Sequence, residues 1–237
     1  MLIRPKNAAG RMWPAIIYNR GGTGDYGKIN DVTVVDLYLL AKAGFVVIAS
    51  DYRFHDATAK RDEWGGADLN DVVNLVPALG SLDIVDHDHL YMLGVSRGGT
   101  MTYLALMKRC VPVRAAAVIA GPSDLEALGR HQPAFVNGDD TYDGWAKVWP
   151  DYGRHKANLY RDRSPIFWTA NLDVPILILH SRQDRLVPVE HALRMAAALQ
   201  AGGKPYALHI YERDGHSLPL NRDDRNRQIV SWFMSAR

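Results

Sequence analysis

The stretch from His89 to Arg109, HLYMLGVSRGGTMTYLALMKR, decides the fold. HLYMLGV reads as a strand and TMTYLALMKR as a helix, with Gly94-Val95-Ser96-Arg97-Gly98-Gly99 between them. A serine on so tight a strand-to-helix turn takes a strained backbone, and positions 94 and 98 must be small to let strand and helix approach. The turn lifts the Ser96 hydroxyl above the sheet edge. It also aims the backbone amide of Arg97, at a helix N-terminus, at an oxygen that becomes an anion.

Outward from this turn, short apolar runs recur at Ala15–Asn19, Phe45–Asp51, Val113–Ile119, Pro175–His180 and Tyr206–Glu212. Helical periodicity fills Asp31–Ala43, Ala67–Leu79, Arg97–Arg109 and Pro188–Gln200, several of them closed by glycine. Continuous apolar strands alternating with helices predict an α/β class with a mostly parallel sheet covered on both faces. The 237 residues read as one domain, and the alternation breaks only over about 121–172, a small cap insertion. Eight aromatics stand in the 38 residues from His131 to Trp168, Tyr142, Trp145 and Trp149 among them, against 9% aromatic residues in the whole chain. They predict a private core for the cap, with Trp145 and Trp149 also walling an apolar substrate pocket.

A serine hydroxyl needs a base and an orienting carboxylate, which in this fold arrive later in the chain. Asp184 follows the PILILH strand in SRQDRLVP, and His216 follows the last strand in the turn Asp214-Gly215-His216. The order Ser96, Asp184, His216 predicts a nucleophile, acid and base. A second oxyanion donor is expected from the glycine loop Arg20-Gly21-Gly22-Thr23-Gly24, with Gly22 as donor and Arg20 as a substrate-binding side chain. That loop lacks the Gly-Lys-Ser/Thr of a phosphate cradle. His87 and His89 in DHDH share a face but bring no further ligand motif, so no metal and no cofactor are expected. His180 is expected to be a structural group near the site, and His55, His131, His155, His191 and His209 have no partner visible in the sequence.

These segments together resemble the α/β-hydrolase fold of the prolyl oligopeptidase (S9-like) group, in particular its short esterase-like members. The resemblance rests on RPKNAAGRMWPAIIYNRGG, ASDYR, EWGGADLNDV, LGVSRGGTMTYLAL, RSPIF, VPILILHSRQDRLVP and YERDGH. It implies Ser96 as nucleophile, Asp184 as acid, His216 as base, and Gly22 and Arg97 as oxyanion donors. The chain departs from the group at Arg20, where relatives usually carry histidine, and at Val95, where its peptidases tend to carry an aromatic. The outermost N-terminal strands are also expected to be missing, leaving a sheet edge that a partner subunit in a homodimer would cover.

Lys and Arg total 28 against 26 for Asp and Glu, without long runs of one sign, which excludes a nucleic-acid surface. Cys110 is the only cysteine, so no intrachain disulfide forms. No apolar run approaches a membrane span and the N-terminus lacks the apolar stretch of a signal peptide, so a cytoplasmic protein without membrane contact is expected. The function these features predict is hydrolysis of small carboxylic esters by acyl transfer. The alternative is an S9-type peptidase acting on short peptides, either an aminopeptidase or an acylaminoacyl peptidase. No Glu-Glu pair is present to hold a free amine; Glu63 or Asp139-Asp140 would have to serve. A non-catalytic binding protein on this scaffold is disfavoured, because all three triad residue types are in place.

Overall fold

The computed structural model describes residues 1–6, 10–53, 63–139, 144–149 and 151–236. His55, Asp140 and Tyr142 lie outside them. The strands are β1 (Leu2–Ile3), β2 (Trp13–Asn19), β3 (Val46–Ser50), β4 (Val85–Val95), β5 (Ala115–Ile119), β6 (Ile176–Ser181) and β7 (Tyr206–Tyr211). They form one seven-stranded sheet in the order β1-β3-β2-β4-β5-β6-β7. Every pairing is parallel except the edge pair β1–β3, where Leu2 stands opposite Ile48. The chain moves outward from β2 to β3 and then returns to place β4 on the other side of β2. Crevices for ligands form at such a reversal, beyond the carboxyl ends of the strands.

The helices are α1 (Asp31–Lys42), α2 (Leu69–Val73), α3 (Leu75–Gly80), α4 (Arg97–Met107), α5 (Leu125–His131), α6 (Pro133–Asn137), α7 (Trp145–Val148), α8 (Tyr152–Arg163), α9 (Glu190–Ala201) and α10 (Arg222–Ser235). Side chains alternate across the sheet, which divides the core in two. Ile16, Tyr18, Tyr91 and Leu93 pack with Leu37 and Leu40 of α1 and Ile229 and Phe233 of α10. Ala15, Ile17, Leu90 and Met92 pack with α2, α4 and α9 on the opposite face. All eleven residues of α4 are buried, so this helix lies between the sheet and further structure above it. No helix among the described residues is long and apolar enough to cross a membrane.

The connection from β5 to β6 holds α5 to α8 and two short 3-10 turns. Its core is aromatic: Trp145 stacks on Trp149 with centroids 4.7 Å apart, and Phe135 lies 6.2 Å from Trp145. Trp64 and Val187, from loops at the carboxyl edge of the sheet, belong to the same cluster and seat the segment there. The sequence predicts one helix over 67–79, but the structure breaks it at Asn74, between α2 and α3. Pro77 has no N–H to donate back to Val73, so a continuous helix would lose a bond at that point.

His191, in the first turn of α9, accepts at Nδ1 from the Ser123 amide at 3.3 Å, while Ser123 Oγ donates to the His191 carbonyl at 2.9 Å. Burial pushes the His191 imidazole down to about 4 from 6.5. Burial lowers His180 in the same direction. Between pH 6.5 and 4 the unfolded chain therefore binds a proton at His191 that the folded chain refuses, so folded stability declines as pH falls through that window. Melting curves across the window should show Tm declining toward acid, with a shallower decline in His191→Asn, whose amide oxygen can accept from Ser123. An equal slope in both proteins would contradict the assignment.

Candidate active site

Ser96 stands between β4 and α4 with φ 56° and ψ −126°, in the strained region that the sequence predicts for this turn. The glycine requirement is steric and severe. A Cβ on Gly94 would lie 2.2 Å from Gly98 O, and one on Gly98 would lie 1.9 Å from Asn19 O. Asn19 ends β2 and donates from Nδ2 to Thr102 Oγ1 at 2.8 Å; Thr102 in turn donates to Gly98 O at 2.9 Å. These contacts clamp the start of α4 onto the end of β2, directly beneath the serine.

Asp184, in the loop after β6, is held by three hydrogen bonds. Its Oδ1 accepts from the amides of Leu186 and Val187 at 2.9 and 3.0 Å, and its Oδ2 accepts from His216 Nδ1 at 2.8 Å. The buried His180 donates Nε2–H to Val187 O at 2.8 Å and stands 3.5 Å from Asp184 Oδ2. Burial works to raise the Asp184 carboxyl, but the hydrogen bond and charge of His216, the Val187 amide and His180 outweigh it and hold the group below the ordinary carboxylate range. An ionised Asp184 fixes the proton of His216 on Nδ1, which leaves Nε2 with its lone pair free to accept. That Nε2 is buried with no hydrogen-bond partner among the described residues.

The loop carrying His216 is organised by Asp214, whose carboxylate accepts from the amides of Gly215, Leu220 and Asn221 and from Asn221 Nδ2 at 2.7–3.1 Å. Burial alone would raise this carboxyl, but the four bonds hold it low. His216, two residues further on, reaches the cavity, and Asp214 does not. That cavity, of about 340 Å³, brings Ser96 and His216 together with Gly21, Gly22, Tyr18, Tyr26, Trp64, Phe135 and Leu186.

Gly22 lies on the cavity with φ +72°, and a Cβ there would stand 2.1 Å from Tyr26 O. A Cβ on Gly21 would lie 3.1 Å from Ser96 Cβ. The Arg97 amide is the first of α4, where a helix supplies no acceptor of its own.

Three expectations are corrected. Arg20 is 1% exposed and does not line the cavity; its guanidinium donates to the carbonyls of Gly21, Gly24, Tyr26 and Asp51, so it braces the glycine loop from within. Trp145 and Trp149 are each 1% exposed and form the stacked centre of the aromatic core, behind the cavity wall. Other aromatic residues line the cavity: Phe135 from the aromatic segment, Trp64 from the loop before α2, Tyr18 of β2 and Tyr26 from the loop after it. The sequence carries a signal for Trp64 in EWGG, a tryptophan beside a turn. Elsewhere, His89 Nδ1 bonds Asp86 Oδ2 at 2.8 Å, His131 Nε2 bonds the Arg185 carbonyl at 3.0 Å, and His209 packs on Tyr211 with centroids 4.3 Å apart.

A strained serine, a histidine and a buried carboxylate stand together at the carboxyl edge of a mostly parallel sheet, the architecture of the α/β-hydrolase fold. The family model of the prolyl oligopeptidase family matches residues 31–236, and the chain belongs to that family. It is similar to the uncharacterized peptidase YuxL of Bacillus subtilis, at 28% identity over 98% of this chain and 36% of that protein. YtmA of the same organism, also an uncharacterized peptidase, is 23% identical over 93% of this chain and 83% of its own length. Among solved structures, the acylaminoacyl peptidase of Pyrococcus horikoshii superposes with TM-score 0.77 at 24% identity, over 98% of this chain and 38% of that one. A puromycin-hydrolyzing peptidase of Mycobacterium tuberculosis superposes with TM-score 0.79 at 23% identity, over 99% of this chain and 36% of that one. The chain thus spans little more than a third of YuxL and of both superposed peptidases.

Proposed function

We propose that this chain is a serine peptidase acting on short peptides with a blocked amino end. The observation that carries the reading is the cavity holding Ser96 and His216, whose other described lining residues are aromatic, aliphatic or neutral polar groups. An acyl group on Trp64, Phe135 and Leu186 gains about 25 cal/mol per Å² of apolar area buried. A free ammonium placed there would meet no described carboxylate, and burying it unpaired is costly. Relatives named as acylamino-acid-releasing enzymes, such as that of Sus scrofa at 24% identity over 92% of this chain, support the same class.

In this reading Ser96 Oγ attacks the scissile carbonyl carbon while His216 Nε2 takes its proton. Asp184 holds the ring and stabilises the imidazolium. The amides of Gly22 and Arg97 donate to the tetrahedral oxyanion. His216 then protonates the leaving amine, and water repeats the attack on the acyl-enzyme to restore Ser96. Small esters are a second class of substrate, because the same cavity and the same acyl transfer serve them without a leaving amine to protonate.

The test is a kinetic series of acylaminoacyl and free aminoacyl p-nitroanilides beside p-nitrophenyl esters from acetate to palmitate. Acetylation of the aminoacyl anilide is expected to raise kcat/KM by about tenfold or more, the scale of one unpaired polar group. Faster cleavage of the free aminoacyl anilide would move the reading to an aminopeptidase. Turnover of esters with no cleavage of any anilide would move it to an esterase.

A further inference from the structure

The residue after the nucleophile carries a second structural role in its side chain. Arg97 and Asp68 are both wholly buried, and Arg97 Nη2 bonds Asp68 Oδ2 at 2.6 Å. Nη1 of the same guanidinium donates to the Gly22 carbonyl at 3.1 Å. The guanidinium carbon lies 4.5 Å from the ring centroid of Tyr52 and 5.8 Å from that of Trp64. Asp68 Oδ1 in turn accepts from the Gly65 amide at 3.1 Å, next to the tryptophan that walls the cavity. One side chain therefore touches the glycine loop and the Trp64 turn while its own backbone forms the nucleophile turn.

A buried ion pair of this kind seldom adds net stability over a packed apolar pair, because taking both charges out of water offsets their attraction. Its geometry, by contrast, is directional: a guanidinium is a rigid planar fork that can hold a carboxylate and a carbonyl at once. Gly22 sits at φ +72°, a setting glycine reaches freely but does not by itself keep. A rotation of the Gly22–Thr23 peptide would break the bond to Nη1. We propose that the Arg97 side chain is a positioning residue that locks the glycine loop to the nucleophile turn and so fixes the spacing between the Gly22 and Arg97 amides. The proposal rests on the reading of those amides as the oxyanion donors.

The decisive variant is the double substitution Arg97→Met with Asp68→Leu, which removes both charges together and fills the space with apolar atoms. It is expected to fold, with Tm within several degrees of the wild type. Its kcat should nonetheless fall about 10²–10³-fold with KM changed less than about threefold, the signature of an interaction made in the transition state. Affinity for a peptidyl aldehyde, whose adduct is tetrahedral, should fall in parallel. A folded double variant with wild-type kcat and aldehyde affinity overturns the proposal. If that variant does not fold, Arg97→Lys serves: a single ammonium cannot hold both acceptors, so kcat should drop about tenfold at constant KM, and an unchanged kcat overturns the proposal. Wild-type labelling by a fluorophosphonate separates the two levels. Labelling at Ser96 together with unaffected Arg97 variants removes only the positioning role, whereas a wild type not labelled at Ser96 removes the catalytic reading itself.

Discussion

Replacing Ser96 by alanine is expected to lower kcat/KM by at least about four orders of magnitude, and His216→Ala by a similar factor. The double variant should be scarcely worse than either single one. The reason lies in the division of labour at the site. Ser96 is held in a strained turn with no route to activation except a base, and His216 Nε2 is the buried, unpartnered nitrogen on the same cavity. Without the imidazole the hydroxyl keeps its proton, and without the hydroxyl the imidazole has nothing to activate, so each loss contains the other. No hydrogen bond joins the two groups, and the contact between nucleophile and base is one that bound substrate tightens. Steady-state kinetics on the best substrate and mass measurement of the fluorophosphonate adduct check the prediction together. Ser96→Ala retaining a tenth of the activity would place the nucleophile elsewhere.

Much of this arrangement was legible because its signals are local. The strand and helix flanking Gly94–Gly99 announce themselves by period, and the short loops after β6 and β7 place Asp184 and His216 within a few residues of a strand end. Legibility ended where partners are distant in sequence. β1 exists only through its pairing with β3, since two residues carry no period. The helix α10 is hard to read in the sequence because its first half, RDDRNR, looks like a solvated charge cluster; the stripe Arg225, Ile229, Phe233 at spacing four is its signal.

Side-chain roles were harder still. A buried arginine and an exposed one look alike in a sequence, and only the fold shows that Arg20 spends its donors on four carbonyls and Arg97 on Asp68 and Gly22. The aromatics of the 121–172 segment posed the same difficulty. Their density predicts both a core and a wall, but which ring takes which part depends on the packing of α6, α7 and α8 against Trp64. Phe135 faces the cavity because it comes from α6, on the side nearest that loop, while Trp145 and Trp149 stack behind it.

Gly98→Ala is expected to disable the enzyme nearly as thoroughly as loss of the serine, although a single methyl is added. Helix propensity alone would favour alanine there by roughly 1 kcal/mol. Sterics decide otherwise. The new Cβ would lie 1.9 Å from Asn19 O, 2.5 Å from Asn19 C and 2.7 Å from Arg20 O, all backbone atoms. The strand end cannot yield, because Asn19 is paired with Ser50 on one side and Gly94 on the other. Relief must therefore come from the first turn of α4 moving away by about an ångström, a misplacement that costs on the order of 10²-fold in a well-aligned site. The moving part holds Ser96, the Arg97 amide and the guanidinium bonded to Gly22, so the serine and the Arg97 amide shift away from Gly22 and from His216. A loss of about 10³-fold or more in kcat is expected, and the overpacking, which typically costs about 1–3 kcal/mol of stability, should lower Tm. Gly80→Ala is the matched control, since a Cβ at the end of α3 meets nothing within 4 Å and should leave both activity and Tm near wild type. Wild-type turnover in Gly98→Ala would show that α4 can yield without moving the serine, and the steric account of the nucleophile turn would fail.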